Sequence, residues 1–401
     1  MSFLQGKNIL LGVSGSISAY KSIFLLRLLK NEGSNVKVIL TKSSLDFVTP
    51  LTFSTLSQNR TYVNFVEEND NEKSWNNHVE LAEWANYFII APATSSTISK
   101  MVSGNADNLL LATFMSFKHN VFFAPSMDLE MFKDKSNKKN IEILKNRGNH
   151  CIEPAIGFLA SGMHGKGRLE EPQLILEFLK KTIIKELPLF GKKILITAGP
   201  TYEMIDPVRF ISNFSSGKMG YYLAKKASEM GADVHLISGP SSENINGFNI
   251  KLKKILSADE MYNECINLFP KVDYCIMAAA VSDYKSKSIH KEKLKKEDIK
   301  TITIELERNK DIIAKMGLIK KKNQKLIGFA LETCDELNNA RLKLFRKKMD
   351  AIILNSLNDE GAGFDFDTNQ VTFITEKKSK KISLKSKSEI SKDILEEIIN
   401  M

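Results

Sequence analysis

One succession of apolar run, small-residue turn and helical pattern occurs twice in this chain, and it limits the possible folds more than any other feature. The first copy starts at Gly6 with "GKNILLGVSGS" and the second at Gly191 with "GKKILITAGPT". The copies continue alike: "NEGSNVKVILTKSS" and "WANYFIIAPATSS" in the first half have counterparts in "EMGADVHLISGPSS" and "KVDYCIMAAAVSD". Short continuous apolar strands that alternate with amphipathic helices indicate mainly parallel sheets with both faces covered.

The sequence therefore predicts an α/β fold with two tandem doubly wound domains of the flavodoxin-like or Rossmann-like type. A chain of 401 residues suits two domains of ordinary size. The helical pattern "EPQLILEFLKKTIIKEL" closes the first half, and "PLF" at 188–190 joins the halves. We predict domains at 1–187 and 191–401. The likeness of the halves indicates a common architecture and does not indicate a common function.

Charge and cysteine content limit the function classes. The formal net charge of +10 suits a nucleic-acid partner, phosphorylated small substrates, or solubility alone. The four cysteines form no CxxC pair, which indicates a reducing cytoplasm rather than a disulfide framework. We see no leader-peptide pattern and no apolar run long enough to cross a bilayer. We therefore expect a cytoplasmic protein.

Ligands of doubly wound folds bind beyond the carboxyl ends of the strands. In the first half these ends carry "GVSGSISAYK", "TKSS" and "APATSST", and in the second "TAGPTYE", "SGPSS" and "AAAVSDY". All are small, rich in hydroxyls and able to offer backbone donors. Neither half has G-x-G-x-x-G, since Gly12 and Gly15 are spaced differently and the second half offers only Gly199. Ordinary NAD(P) dehydrogenation is therefore disfavoured.

The stretch "ISNFSSGKMG" at 211–220 is similar to a phosphate loop but fails the pattern twice. Ser212 stands where the first glycine belongs, and Met219 stands where Ser or Thr would bind magnesium. Small and polar residues at a helix start still attract anions through free backbone N–H groups. On this stretch alone, an ordinary capped helix with a solvated Lys218 is the commoner outcome.

Three features of the first half suggest chemistry. His78 precedes a buried strand and can exchange a proton near neutral pH, although a lone histidine is more often a surface or capping residue. Asp128 lies in the turn after "FFAP". The stretch "GFLASGMHGKGRLEEP" at 157–172 has four glycines and Arg168, which suits a flap that closes over a ligand. Each feature alone also suits a plain loop.

Taken together, these stretches resemble known enzymes over nearly the whole chain. "GVSGSISAYK", "VILTKSSLDFVTPLTF", "NHVELAEWA" and "APSMDLEM" are similar to flavin-dependent cysteine decarboxylases. "ITAGPTYEMIDPVRFISNFSSGKMG", "MAAAVSDY", "EKLKK" and "GFALET" are similar to phosphopantothenate–cysteine ligases. In this order they resemble the bifunctional phosphopantothenoylcysteine decarboxylase/phosphopantothenate–cysteine ligase family of coenzyme A synthesis.

For the first half, the resemblance implies FMN as cofactor and His78 as the active-site histidine. The substrate's cysteine thiol is then oxidised to a thioaldehyde, carbon dioxide leaves, and the enethiol is reduced to 4′-phosphopantetheine. The implied flavin contacts are Gly15, Ser16, Ile17, Thr41, Ser43, Thr94, Ser95, Ser96 and Thr97.

Two departures from the family pattern fall in this half. Asp128 stands where the family commonly has an asparagine that binds the substrate carboxylate, and an ionised aspartate would repel that group. Ser161 stands where the flap usually has the cysteine that acts as acid in the final reduction. A serine hydroxyl is a much weaker acid than a thiol.

For the second half, the resemblance implies CTP as co-substrate, with Mg²⁺ at Asp283. Asn213 matches the family's catalytic asparagine, Lys293 its essential lysine, and Arg209 is placed to bind phosphate or carboxylate. The family usually has proline where Lys310 stands. The further implied substrate and nucleotide contacts are Arg168 in the flap and Ser215, Ser216, Gly217, Ala279, Asp283, Lys310, Asp311, Ile312, Ile313, Phe329, Lys343 and Lys347.

The expected partners are 4′-phosphopantothenate, cysteine and CTP in a homo-oligomer, without nucleic acid or membrane. Two alternatives remain at this point. One is a flavin-dependent oxidative cysteine decarboxylase that lacks the final reduction. The other is a basic, non-catalytic flavodoxin-like binding protein, which would show neither a yellow colour nor a dependence on CTP. The preference for CTP over ATP stays open.

Overall fold

The computed structural model consists of two compact units, Met1–Ile183 and Ile184–Met401, and each is described by itself. The residues it describes are 4–69, 72–294, 301–332, 335–356 and 366–401.

The first unit alternates strands and helices. In chain order it contains β1 (Asn8–Val13), α1 (Tyr20–Asn31), β2 (Asn35–Leu40), α2 (Pro50–Ser57), β3 (Thr61–Tyr62), β4 (Val66–Asn69), β5 (Glu72–Trp75), α3 (His78–Trp84), β6 (Tyr87–Ala93), α4 (Ser95–Ser103), α5 (Leu109–Ser116), β7 (Phe122–Pro125), α6 (Leu129–Lys133), α7 (Lys135–Asn146), β8 (His150–Cys151), β9 (Ala155–Phe158), β10 (His164–Arg168) and α8 (Pro172–Glu186). Short 3₁₀ turns at Ile17–Ala19 and Lys42–Ser44 follow β1 and β2.

The main sheet of the first unit is parallel, with the strand order β3-β2-β1-β6-β7-β8. Strand alternation decides which core each side chain joins. Ile9 and Leu11 of β1 join one core with α1, α2 and α8, whereas Leu10 joins the opposite core with α3, α4, α5 and α7. Both faces of the sheet are therefore covered, as the continuous apolar strands predict.

The second unit repeats this plan and extends it. Its elements are β11 (Lys193–Ala198), β12 (Glu203–Met204), β13 (Phe210–Ile211), α9 (Lys218–Glu229), β14 (Asp233–Ser238), β15 (Ile250–Lys254), α10 (Ala258–Leu268), a 3₁₀ turn (Phe269–Lys271), β16 (Tyr274–Met277), β17 (Tyr284–Ser286), β18 (Leu306–Arg308), α11 (Ile312–Ile319), β19 (Lys325–Glu332), α12 (Glu336–Arg346), β20 (Ala351–Ser356), β21 (Thr368–Thr375), β22 (Ser379–Ser386) and α13 (Lys387–Ile399).

The second sheet has the order β15-β14-β11-β16-β19-β20-β21-β22. Its strands are parallel from β15 to β20, and β21 and β22 then run antiparallel. Ile194 and Ile196 of β11 face a core that includes α9 and α13, and Leu195 faces the core of α10, α11 and α12. The predicted pair of doubly wound α/β folds is confirmed.

In each sheet the strand order first runs outward to one side and then continues on the other side of the first strand. This change occurs between β1 and β6 in the first sheet and between β11 and β16 in the second. Such a switch point opens a crevice at the carboxyl ends of the strands.

Two details of the structure differ from the sequence prediction. Helix α9 begins at Lys218, ahead of the predicted start at Tyr221, and Leu189 of the predicted linker is buried in the second unit's core.

Candidate active sites

The first unit has a cavity of about 380 Å³ at its switch point. It is lined mainly by hydroxyl-bearing residues that follow β1, β2, β6 and β7. The lining comprises Ser14, Gly15, Ser16, Thr41, Ser43, Thr94, Ser95, Ser96, Thr97, Lys100, Asn108, Ser126, Met127 and Met131.

Hydrogen bonds between the loops give this cavity its shape. The Ser14 hydroxyl donates to the Pro92 carbonyl at 2.7 Å and accepts from the Thr94 N–H at 3.0 Å. Thr94 then caps α4, since its hydroxyl accepts from the Thr97 N–H at 3.3 Å. The start of α4 therefore points its backbone N–H groups toward the cavity, where they favour an anion.

Gly15 lets two of these loops approach each other. A Cβ added at Gly15 would lie 2.5 Å from the Ser43 Cβ and 2.6 Å from the Ser43 carbonyl oxygen. Both distances are too short for real atoms, so only glycine fits between the β1 and β2 loops. Within the described residues, the buried hydroxyl of Thr41 on this cavity makes no hydrogen bond, and buried hydroxyls are normally paired.

All of the predicted flavin contacts line this cavity except Ile17, whose side chain is exposed in the 3₁₀ turn. The sequence prediction missed Ser126 and Met127, which follow β7. Applying the strand-end rule to "FFAPSM" would have found them. Lys100 and Asn108 have no comparable local signal, because the fold brings them in from α4 and from the N-cap of α5.

His78 begins α3, where Asn77 caps the helix, but it does not line the cavity. Its ring makes edge contacts with Phe65 and Trp75, with centroid distances of 6.1 and 6.5 Å. Its Nδ1 atom is buried and has no hydrogen-bond partner among the described residues. His78 therefore lies in an aromatic cluster with an unused ring nitrogen.

The predicted flap is an antiparallel hairpin of β9 and β10, with Ser161 exposed at its tip. Ile156 and Phe158 on β9 are 71% and 73% exposed. The base of the hairpin reaches the cavity, because the Met127 N–H donates to the Gly167 carbonyl at 3.1 Å. Asp128, the next residue, caps α6 by accepting from the Leu129 N–H at 2.6 Å.

Arg168 leaves the hairpin and forms an ion pair with Glu171 at 3.1 Å. Glu171 also pairs with the buried Lys21 of α1 at 2.8 Å, and the hydrogen bond from Lys21 is the main cause that lowers the pKa of Glu171. The flap base is therefore joined to the helix that follows the β1 loop. Cys151 offers no replacement acid for the reduction, because burial raises the pKa of its thiol to about 12.

The second unit has a cavity of about 510 Å³ at its own switch point, with a more charged lining. The lining comprises Asn213, Phe214, Ser215, Ser216, Gly217, Lys218, Met219, Gly220, Ala278, Ala279, Ala280, Val281, Asp283, Phe329, Ala330, Leu331, Lys343, Asn355, Ser356, Asn369 and Lys387.

The stretch that resembles a phosphate loop forms one wall of this cavity. Gly217 is the N-cap of α9 and has φ +80°, a conformation that favours glycine. A Cβ at Gly220 would lie 2.6 Å from the Ala198 Cβ, so glycine lets α9 start directly against β11. The Asn213 side-chain amide donates to the Val281 carbonyl at 3.0 Å, which leaves its second N–H available.

The predicted nucleotide residues divide into two groups. Asn213, Ser215, Ser216, Gly217, Ala279, Asp283, Phe329 and Lys343 line the cavity. Lys310, Asp311, Ile312, Ile313 and Lys347 do not. In the second group, Lys347 pairs with Asp311 at 3.0 Å, Lys310 pairs with Asp259 at 3.2 Å, and Ile312 is buried.

Carboxylates accompany the cationic residues of this unit. Lys343 pairs with Glu332 at 2.5 Å, and Lys218 pairs with Asp367 at 2.7 Å. Within the described parts of the chain, no cluster of three or more His, Cys, Asp or Glu residues suits a metal ion. Asp283 is an exposed carboxylate on the cavity wall.

Arg209 and Lys293 lie outside the cavity lining, on two segments that hydrogen bonds join. Arg209 pairs with the buried Asp206 at 3.0 Å and donates to the Leu294 carbonyl, next to Lys293, at 3.1 Å. Burial alone would raise the pKa of Asp206. Backbone N–H donors, including those of Val208 and Arg209, outweigh that effect and hold the pKa below its usual value.

The sequence prediction missed four polar residues on the far side of this cavity: Asn355, Ser356, Asn369 and Lys387. Lys387 is only 3% exposed, which is unusual for lysine. Asn355 and Ser356 end the apolar run "AIILNS", a strand-end signal that was available. Asn369 and Lys387 reach this edge because β21 and β22 run antiparallel, which no local pattern reveals.

The fold and its two cavities define a protein of two doubly wound α/β units, with an anion-attracting site in each. Residues 2–184 match the Flavoprotein family, and residues 189–401 match the family of the DNA/pantothenate metabolism flavoprotein C-terminal domain. Among the described residues, no helix is both long and apolar enough to span a membrane.

Curated relatives resemble both halves of the chain. The coenzyme A biosynthesis bifunctional protein CoaBC of Bacillus subtilis (strain 168) is 43% identical over 98% of this chain and 97% of its own length. A cysteine/cysteine sulfinic acid decarboxylase of an unknown prokaryotic organism is 46% identical over 88% of this chain and 99% of its own length. A crystal structure of the C-terminal domain of a CoaBC protein is 40% identical, covers 54% of this chain and 98% of that one, and has a TM-score of 0.46.

The chain belongs to the family of bifunctional coenzyme A biosynthesis proteins. It is an enzyme with decarboxylase and ligase activities, so the predicted family is confirmed and the alternative of a non-catalytic binding protein is not retained.

Proposed function

We propose that the second unit joins 4′-phosphopantothenate to cysteine at the expense of CTP, and that the first unit decarboxylates the product to 4′-phosphopantetheine with bound FMN. The observation that carries this proposal is the presence, in one chain, of two switch-point cavities with different linings. One is lined mainly by hydroxyls and backbone donors with a single lysine, Lys100, and the other has three lysines and an aspartate. The expected cytoplasmic location and homo-oligomeric assembly belong to the same proposal.

The ligation has two steps. The carboxylate of 4′-phosphopantothenate attacks the α-phosphorus of CTP, and pyrophosphate leaves. The amine of cysteine then attacks the carbonyl carbon of the acyl-cytidylate, loses a proton, and displaces CMP to form the amide. The first step is needed because a free carboxylate is a poor electrophile.

The lining of the second cavity suits both steps. The start of α9 after Ser215, Ser216 and Gly217 offers backbone N–H groups to phosphate. Asn213 is anchored to Val281 and has one N–H left for the acyl oxygen in the transition state. Asp283 would hold Mg²⁺ together with the substrate's phosphates, an arrangement that this ion prefers, and Mg²⁺ would neutralise phosphate charge.

The lining of the first cavity suits FMN. The unpaired hydroxyl of Thr41 and the N–H groups at the start of α4 match a ligand with phosphate and carbonyl acceptors. FMN bound there would supply a two-electron acceptor and donor. Arg168, at the base of the flap, would bind the substrate's anionic group, and His78 would exchange a proton through its free ring nitrogen.

A second candidate function deserves a test because two observations favour it. The relative with 46% identity is named for cysteine and cysteine sulfinic acid. In addition, the flap carries Ser161 in place of a thiol acid, and Cys151 is buried. In this alternative the first unit decarboxylates cysteine itself, or stops at the oxidised enethiol product.

The test uses the purified full-length chain with two measurements. The first is the absorption spectrum before and after FMN is added, for which we expect a bound flavin. The second is product mass after incubation with CTP or ATP, 4′-phosphopantothenate and cysteine, with free cysteine and cysteine sulfinate as separate substrates. We expect 4′-phosphopantetheine only with CTP. A colourless folded protein, or decarboxylation of free cysteine alone, contradicts the proposal.

A further inference from the structure

The buried carboxylate of Asp206 lies at the centre of a contact between two distant segments. Asp206 is 0% exposed in the turn that joins β12 and β13. One carboxylate oxygen accepts from the N–H groups of Val208 at 2.7 Å and Arg209 at 2.8 Å. The other accepts from Arg209 Nη1 at 3.0 Å and from the Leu294 N–H at 3.2 Å.

This second oxygen binds the segment at 290–294, which makes few other hydrogen bonds to the hairpin. Residues 290–293 are exposed and, as far as the chain is described, no helix or strand lies between β17 and β18. The segment is joined to the turn by the His290 N–H to the Ile205 carbonyl at 2.9 Å, by Leu294 to Asp206, and by Arg209 Nη1 to the Leu294 carbonyl. Lys293 lies between these bonds.

The turn itself is firmly built. Tyr202 and Phe210, on either side of it, stack with ring centroids 3.9 Å apart and an interplanar angle of 11°. Phe210 is followed directly by Ile211, Ser212 and Asn213, so the same hairpin leads into the cavity wall. A buried carboxylate on a rigid hairpin therefore joins the orientation of Arg209 to the placement of Lys293.

We infer that Asp206 is a positioning residue of the ligase: it sets the direction of Arg209 and holds the Lys293 segment against the hairpin that leads into the cavity wall. This inference rests on the proposed function of the second unit. Asp206 would touch neither nucleotide nor acid substrate, and its effect would pass through Arg209 and Lys293. A purely structural role in the hairpin is the alternative.

Asp206→Asn separates the two roles. The amide oxygen can still accept from the N–H groups of Val208 and Arg209, so the turn keeps its bonds. The amide nitrogen would face Arg209 Nη1 and the Leu294 N–H, which are also donors, so the bond to the segment is lost. The matched control is Asp350→Asn, because Asp350 also binds a backbone N–H (Leu326, 2.7 Å) and a lysine (Lys320, 2.7 Å), but at the amino end of β19.

The experiment is a double-mutant cycle on CTP-dependent amide formation with wild type, Asp206→Asn, Lys293→Ala and the double variant. We expect each single variant to lose about a hundredfold in rate. The double variant should then be no more than about threefold slower than Lys293→Ala, since residues that act as one unit are not additive. The control should stay within about twofold of wild type.

Four outcomes decide the inference. Additive losses in the cycle, with wild type active, overturn this inference alone. A wild type that forms no amide with CTP or ATP overturns the proposed function and the inference with it. If Asp206→Asn fails to fold, Leu294→Pro removes the same N–H donor from the other side without altering the hairpin. Wild-type activity in that variant contradicts the inference, and a loss of about the same size as that of Lys293→Ala supports it.

Discussion

The two cavities occupy the same place in the same fold, yet they differ in charge. The first is lined mainly by serine and threonine hydroxyls that also bind one another, such as Thr94 and Thr97 at 3.1 Å, and it has one lysine, Lys100. The second is lined by Lys218, Lys343 and Lys387 together with Asp283, and Lys218 and Lys343 pair with Asp367 and Glu332. A lining of mostly neutral donors suits a cofactor that stays bound. A lining with more lysines suits substrates that carry several negative charges.

The largest expected effect concerns Asn213 in the second cavity. Asn213→Ala should lower the rate of amide formation by about 100- to 1,000-fold, because the side-chain N–H acts on the acyl oxygen. Pyrophosphate release from CTP should continue, since activation precedes that contact. Separate assays of pyrophosphate and amide check this. Wild-type amide formation in the variant would remove Asn213 from the mechanism, and flavin content serves as the internal control.

A smaller effect is expected for the first cavity. Gly15→Ala should weaken FMN binding by about tenfold or more, because the added Cβ meets Ser43 at 2.5 Å and forces two cavity loops apart. The measurement is flavin retained after gel filtration, with ligase activity unchanged. Gly157→Ala is the control, since its Cβ would make only an ordinary 3.4 Å contact with Arg168. Equal flavin retention in Gly15→Ala and wild type would contradict the role given to this loop.

The flap tests whether the first unit completes its cycle. We expect wild type to reach 4′-phosphopantetheine with a slow final reduction, and Ser161→Cys to speed that step by about tenfold or more, because a thiol is the better acid. Single-turnover flavin absorbance with product mass measures it. His164→Ala tests the neighbouring proton source, and should slow the step further in the serine enzyme. A wild-type product that stays two hydrogens short would favour the oxidative alternative instead.

The smallest effect concerns pH and the joint between flap and α1. The lowered pKa of Glu171 means that its pairing with Lys21 stabilises the fold above the unfolded value near 4.5 and is lost as pH falls through the lower folded value. The Glu171 side chain is 47% exposed, so water screens the pair, and we expect Glu171→Gln to lower the melting temperature at neutral pH by no more than about 2–4 °C. This difference should shrink below about pH 4.5. Glu177→Gln, on the neighbouring helix α8, is the control. If the melting temperatures of Glu171→Gln and wild type differ by the same amount from pH 7 to pH 3, the ion pair is not the cause of the difference.

The sequence by itself determined the two doubly wound units and the loops that line their cavities. Strand and helix periods, together with the small residues after each strand, are local properties, and the parallel topology then brings the strand ends to one edge. This is why the loops that hold Gly15, Thr41 and Thr94 could be selected in advance, whereas the individual contacts, including Ser215 and Asn213, were implied by the family resemblance. The roles of Asn213 and Lys293 came from the family resemblance.

Tertiary structure alone decided the rest. Lys387 and Asn369 enter the second cavity because two strands turn back antiparallel to its edge. Asp206 meets Leu294 across a separation of 88 residues. His78 lies in an aromatic cluster with Phe65 and Trp75, which only the folded chain brings around it. These contacts depend on strand order and on how loops fold over the sheet, and neither property is encoded in any short stretch of the chain.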